Sequence, residues 1–357
     1  MEKAYLVLQN GAVFEGVPFG APIERTGELV FTTGMCGYLE TLTDPSYRGQ
    51  IVTQTFPLIG NYGVIPEDFE GECHVSGYVV RECCEHPSNF RAQGALDEFL
   101  RQKNVPGLSG VDTRALTRLL REHGTMNARI CREIPADLTE IEAYRVENAV
   151  QAVTTSGTQI AEAEGPRRCR VALIDYGAKR NIVRELTRRG AQVIVLPAST
   201  TAGQVLDLQP DGLMLSNGPG DPADCVEQIE TLRALAGKLP TFGICLGHQL
   251  LALALGGRTV KLKYGHRGVN QPVRDLVAGR TYVTSQNHGY AVQADSLPCG
   301  RVRFVNANDQ TCEGIDYPQL SSFSVQFHPE ACSGPRDCGF LFDRFFEQMG
   351  VSEHAAQ

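Results

Sequence analysis

The segment Phe242-Gly243-Ile244-Cys245-Leu246-Gly247-His248-Gln249 places a cysteine between two glycines, where an apolar run gives way to a helical pattern. This is G-x-C-x-G, the cysteine form of a nucleophile elbow. Glycines flank such a nucleophile because its backbone is strained and a neighbouring Cβ would crowd the turn. The helix N-terminus favours a thiolate at Cys245, and the amide of Leu246 points to where an oxyanion would form. Most of the other eleven cysteines read as reduced core residues of a cytosolic protein. No C-x-x-C occurs, and the closest pairs, Cys83 with Cys84 and Cys332 with Cys338, do not have the spacing of a metal site. No metal is expected.

A thiolate needs a base, and the base needs a group that holds its tautomer. Among eight histidines, Ser324-Val325-Gln326-Phe327-His328-Pro329-Glu330 stands out. It reads as a strand ending at His328, with Pro329 stiffening the link to Glu330. Residues i and i+2 project to the same side there, so Glu330 accepts from one ring nitrogen and the other faces the thiol.

A third element is Ser216-Asn217-Gly218-Pro219-Gly220-Asp221-Pro222. Gly218-x-Gly220-x-x-Ala223 formally fits a relaxed dinucleotide fingerprint, but proline fills key positions and no acidic residue near 240 would hold a ribose. The loop reads better as a rigid turn whose glycine amides supply a second oxyanion donor, with a mere tight turn as the bland alternative. Ser285-Gln286-Asn287-His288-Gly289-Tyr290 reads as a polar loop after the strand 281–284, a rim for substrate.

These groups need a scaffold. Residues 170–175, 191–197, 211–218 and 240–245 are continuous apolar strands alternating with helical stretches after 180, over 222–237 and after 246. That rhythm predicts a parallel sheet covered on both faces. Residues 151–168 are small and polar and read as a linker. Before them, residues 1–150 read as a separate α+β domain of short strands (29–33, 51–55, 76–80) and two helices. In one helix Leu96, Phe99 and Leu100 share a face. In the other Asp112 caps, Leu116, Leu119 and Leu120 form the stripe, and Gly124 stops it. Nothing in this half spells chemistry by spacing alone.

Length and composition set the outer bounds. The 357 residues are 42% hydrophobic and 21% charged, ordinary for a globular chain of two to three domains. A net charge of −8 without basic blocks argues against nucleic acid or an anionic membrane as the main partner. No apolar run is long enough to span a bilayer, and the N-terminus does not read as a signal peptide, so secretion is not expected.

GICLGHQ, HPE and LSNGPGDP together resemble the class I (triad) glutamine amidotransferases, whose flavodoxin-like three-layer α/β domain would occupy residues 169–357. The first half narrows the resemblance. TGMCGYLETLTDPSYRGQIVTQTFPLIGNYG (33–63) and GVDTRALTRLLREHG (110–124) look like the amino-terminal domain of carbamoyl-phosphate synthase small subunits, and QNHGYAV (286–292) matches them as well. The likeness covers nearly the whole chain. It implies that Cys245 attacks the side-chain amide of glutamine, His328 carries the proton to departing ammonia, and Glu330 orients His328. It further implies oxyanion amides at Gly218 and Leu246, and a glutamine site lined by Gly220, Gln249, Asn287, Gly289 and Tyr290. Ser46 would reach across from the first domain. Some members carry Phe where Tyr290 stands, which points to a backbone contact there.

The chain has no G-x-x-x-x-G-K-[ST] phosphate loop. The resemblance places ATP and Mg on a large subunit that receives ammonia through a tunnel, with no cofactor in this chain. It leaves open whether the product serves arginine, pyrimidines or both. Two other readings compete: the amidotransferase subunit of another synthase, such as one making anthranilate, and a non-catalytic scaffolding subunit. The 150-residue first domain argues against the former. The intact Cys245, His328 and Glu330 argue against the latter.

Overall fold

A computed structural model describes residues 2–331 and 333–351. Cys332 and the last stretch of the second domain, 352–357, lie outside the described residues. The chain divides into two compact units after Ala149.

In the first unit seven strands close into a barrel, in the order Ala4–Leu8, Val13–Gly20, Pro106–Ser109, Gly77–Val79, Gln50–Gln54, Arg25–Thr32 and Met126–Cys131. Closure removes exposed strand edges. The helix Leu96–Gln102 buries Leu96, Phe99 and Leu100. The helix Thr113–His123 buries Leu116 and Leu120, takes a cap from Asp112 to the Ala115 amide at 2.9 Å, and ends at Gly124 with φ +96°. The two helices follow from their sequence stripes. The barrel does not, because its closure joins the first strand to one more than a hundred residues away.

The second unit is built on a ten-stranded sheet. Its parallel centre has the order Ala191–Pro197, Cys169–Asp175, Gly212–Leu215, Thr241–Ile244, Ser322–Val325. In chain order these are strands 2-1-3-4-5, the flavodoxin-like arrangement, in which ligands bind beyond the carboxyl ends of the strands. Alternate residues serve the two faces. Ala172, Ile174, Leu213 and Leu215 pack with helices Val226–Leu235 and Leu246–Ala254. Val171, Leu173, Met214 and Phe242 pack with Arg180–Arg188 and Phe340–Gln348. Phe242 stacks on Phe323 with ring centroids 4.3 Å apart, locking the strand before Cys245 to the strand before His328.

Three expectations need correction. The stretch 151–168 is not a free linker: it belongs to the second unit, and Gln159–Ala161 pairs antiparallel with Ala191–Pro197 at the sheet edge. This edge strand buries little, for Gln159 and Ile160, which point to opposite faces, are both exposed. Residues 285–290 are not a loop after a short strand. They lie inside the strand Arg280–Val292, which pairs with Thr259–Asp275 in a long antiparallel hairpin that extends the parallel sheet. The last central strand ends at Val325, so His328 stands in the turn beyond it.

Candidate active site

The elbow forms because two glycines allow a close approach that any Cβ would block. A Cβ on Gly247 would lie 2.5 Å from the Leu215 carbonyl oxygen, and one on Gly243 would lie 2.8 Å from that of Gly247. The helix Leu246–Ala254 therefore starts hard against the sheet, with Cys245 at its N-cap in the strained conformation φ 52°, ψ −104°. The Cys245 amide donates to the Val325 carbonyl at 2.9 Å and the Gly247 amide to that of Ser216 at 3.0 Å. Leu246 is the first residue of the helix, so its amide has no intrahelical acceptor. His248, one turn into the elbow helix, is wholly buried and pairs through Nδ1 with Ser324 Oγ at 2.8 Å. Burial pushes its pKa down to about 3, so this neutral histidine is a tie between helix and strand.

His328 and Glu330 form the expected pair. Nδ1 of His328 lies 2.6 Å from Glu330 Oε1, and both side chains are fully buried. Nε2 has no hydrogen-bond partner among the described residues. It is the nitrogen left for the thiol, whose Sγ faces the Asn287 carbonyl at 3.8 Å. Burial and the Lys179 ammonium oppose protonation of His328, but Glu330 and Cys245 outweigh them and raise its pKa to about 9. Burial likewise works against the Glu330 carboxylate, yet His328 and Lys179 hold its pKa below the ordinary value. An imidazolium poised beside a thiol is suited to protonate a leaving amine.

Lys179 is the residue that the sequence reading missed. Its Nζ lies 3.4 Å from His328 Nδ1 and 3.7 Å from Glu330 Oε1. The strand Cys169–Asp175 delivers it. The Asp175 carboxylate accepts from the amides of Gly177 and Ala178, turning the chain, and the Lys179 amide donates to Asn217 Oδ1 at 3.1 Å. Two residues on, Asn181 Nδ2 donates to the backbone carbonyl of Glu330 at 3.1 Å. The only local signal was two polar residues in a turn after a buried strand.

The glycine loop lies against the elbow. A Cβ on Gly218 would sit 2.3 Å from the Tyr176 carbonyl oxygen and 2.7 Å from Leu246 Cδ2. Gly220 has φ +92°, a left-handed conformation suited to glycine. Gln249 donates from Nε2 to the Tyr290 carbonyl and to Gln326 Oε1, each at 2.9 Å. It thereby ties the elbow helix to the strand bearing Asn287, Gly289 and Tyr290. The Tyr290 ring lies under Lys261 Nζ at 5.9 Å, so its backbone and not its ring meets Gln249. Ser46 belongs to the first unit, where it is buried in the turn Pro45–Tyr47 and its amide donates to Asp44 Oδ1 at 2.9 Å. The eleven described cysteines are all free thiols.

Two family models match the chain. Carbamoyl-phosphate synthase small chain, CPSase domain, covers residues 6–130, and Glutamine amidotransferase class-I covers 172–348. The chain is 49% identical to the carbamoyl phosphate synthase small chain of Bacillus cereus over 353 residues, spanning 97% of this chain and 96% of that one. It is 51% identical to the small chain of Bacillus caldolyticus over 368 residues, 99% of this chain and 100% of that one. The pyrimidine-specific small chain of Bacillus subtilis is 49% identical over 356 residues, covering 98% and 97%. With both domains in this order and half the residues shared along almost the full length of these relatives, the chain belongs to the carbamoyl phosphate synthase small-chain family.

Proposed function

We propose that this chain hydrolyses L-glutamine and hands the ammonia to a synthase large subunit, which uses it with bicarbonate and ATP to make carbamoyl phosphate. The observation that carries this reading is Cys245 at a strained elbow beside the buried His328–Glu330 pair. The Cys245 thiolate attacks the amide carbon of glutamine, and the oxyanion is held by the amides of Leu246 and Gly218. The His328 imidazolium gives its proton to the amide nitrogen, and the C–N bond breaks to release ammonia. A water molecule then loses a proton to His328 and attacks the thioester, freeing glutamate and the thiol. Glu330 keeps His328 oriented throughout. Gly220, Gln249, Asn287, Gly289 and Tyr290 line the glutamine site.

No step in this chain calls for a metal or cofactor; ATP and Mg act on the large subunit. The partner is that subunit, in a heterodimer or a higher oligomer of it, in the cytoplasm. No helix among the described residues is long and apolar enough to cross a membrane. The carbamoyl phosphate serves pyrimidine synthesis, as the name of the Bacillus subtilis relative indicates for that protein, and arginine synthesis is the second destination.

Free glutaminase activity would waste glutamine, so docking of the large subunit should align the elbow and the glycine loop. A hundredfold gain needs about 2.7 kcal/mol of coupling, within reach of a protein interface. The test is steady-state glutamate release with and without the large subunit, ATP and bicarbonate. Slow release alone and a large rise with the partner are expected. Full activity in the isolated chain, unchanged by the partner, would overturn the coupling.

A further inference from the structure

Beside the glutamine wall lies a buried polar cluster that the triad does not use. His266 stands opposite His288 across the hairpin, ring edge to face at 5.0 Å between centroids. Its Nε2 is 2.8 Å from Asp309 Oδ2 and its Nδ1 is 3.2 Å from Glu313 Oε1. Both ring nitrogens thus face carboxylate oxygens, an arrangement that only an imidazolium satisfies in full. Burial works against that charge, but Glu313 and Asp309 raise the His266 pKa overall. Burial pushes the Glu313 carboxyl up. Even so, its oxygens face the donors of His266, Gln286 Nε2 at 3.0 Å and Asn306 Nδ2 at 3.4 Å. Such a shell favours the carboxylate.

The chain of contacts continues to the wall. His288 is held neutral by burial and by the neighbouring His266, so its one ring proton goes from Nδ1 to the Tyr290 carbonyl at 2.7 Å, while Nε2 packs against Gln286 Oε1 at 3.1 Å. His266, His288 and Glu313 offer three ligand atoms of metal-binding type. Each already has a protein partner, so the cluster reads as a brace. The hairpin needs one here, because its register shifts between Lys261 and His266 and again between Gly268 and Gln271. Where the ladder is interrupted, side chains must fix the backbone.

We propose that His266 and Glu313, with Asp309 behind them, are positioning residues that hold the strand segment Asn287–Tyr290 in its glutamine-binding shape. They act through Gln286 and His288 and set the KM for glutamine. This rests on the reading that the segment binds glutamine.

The test uses the complex of full-length chain and large subunit. Glutamine hydrolysis by the unaltered chain, and its loss in Cys245→Ser, checks the underlying reading first. Glu313→Gln, nearly isosteric, should then raise the KM for glutamine about tenfold with kcat within about twofold. Asp309→Asn, whose side chain is half exposed, should raise KM about threefold. Ammonia-dependent synthesis should stay unchanged, since it bypasses the glutamine wall. An unchanged KM in both variants overturns the proposal. So does a fall in kcat that tracks a fall in Tm, which is the signature of a merely structural role. If Glu313→Gln does not fold, Asp309→Asn decides by the same KM.

Discussion

Lys179 Nζ lies 3.4 Å from His328 Nδ1, the nitrogen that Glu330 already holds at 2.6 Å. Lysine and carboxylate therefore push the same imidazole in opposite directions. Lys179 disfavours the imidazolium by like-charge repulsion, while Glu330 favours it by attraction and hydrogen bonding. The lysine also compensates the buried Glu330 charge at 3.7 Å.

That opposition gives a pH signature. The imidazolium that protonates the leaving nitrogen is present below its pKa of about 9, so kcat/KM for glutamine should fall as pH rises through about 9. Glu330→Gln removes a raising influence, so the inflection should move to lower pH. Lys179→Met removes a lowering one, so it should move to higher pH. Shifts in the same direction for both variants would show that the two groups do not act on His328 as described.

Cys245→Ser should abolish glutamine hydrolysis, because an alkoxide needs far more activation than a thiolate. Synthesis from free ammonia by the complex should persist. Glutamate release and carbamoyl phosphate formation, measured on one preparation, separate the two outcomes.

Asn181→Ala deletes the hydrogen bond to the Glu330 carbonyl. A buried hydrogen bond contributes about 1 kcal/mol net, so a drop in kcat of roughly fivefold is expected, milder than for His328→Asn. A loss as deep as that of the histidine variant would mean that Asn181 does more than hold the turn.

Gly247→Ala should be costly for a steric reason alone. The new Cβ would lie 2.5 Å from the Leu215 carbonyl oxygen, a backbone atom that cannot swing aside. The elbow helix must then lift from the sheet, at a cost of about 1–3 kcal/mol and with loss of most glutaminase activity. Denaturant unfolding paired with the activity assay checks both.

The parts of the site legible in the sequence are those set by neighbours along the chain. Gly243 marks the elbow because a Cβ there would meet the Gly247 carbonyl four residues on, whereas the need for glycine at 247 is set by Leu215 on a neighbouring strand and shows in the sequence only as the G-x-C-x-G pattern. His328 and Glu330 meet because two residues of a turn suffice. The continuous apolar strands 170–175 and 191–197 announced a parallel sheet because both their faces are buried. Only the tertiary structure decided the rest. Ser285–Tyr290 reads as a loop, since a strand that lines a polar site carries glutamine, asparagine and histidine where a core strand would carry valine. The segment 159–161 reads as a linker because an edge strand has little to bury. Lys179 reaches His328 only because the strands ending at Asp175 and Val325 run parallel in one sheet and release their chains at the same end. No spacing in the sequence encodes that meeting, because a contact between residues 149 apart is fixed by how the sheet is assembled.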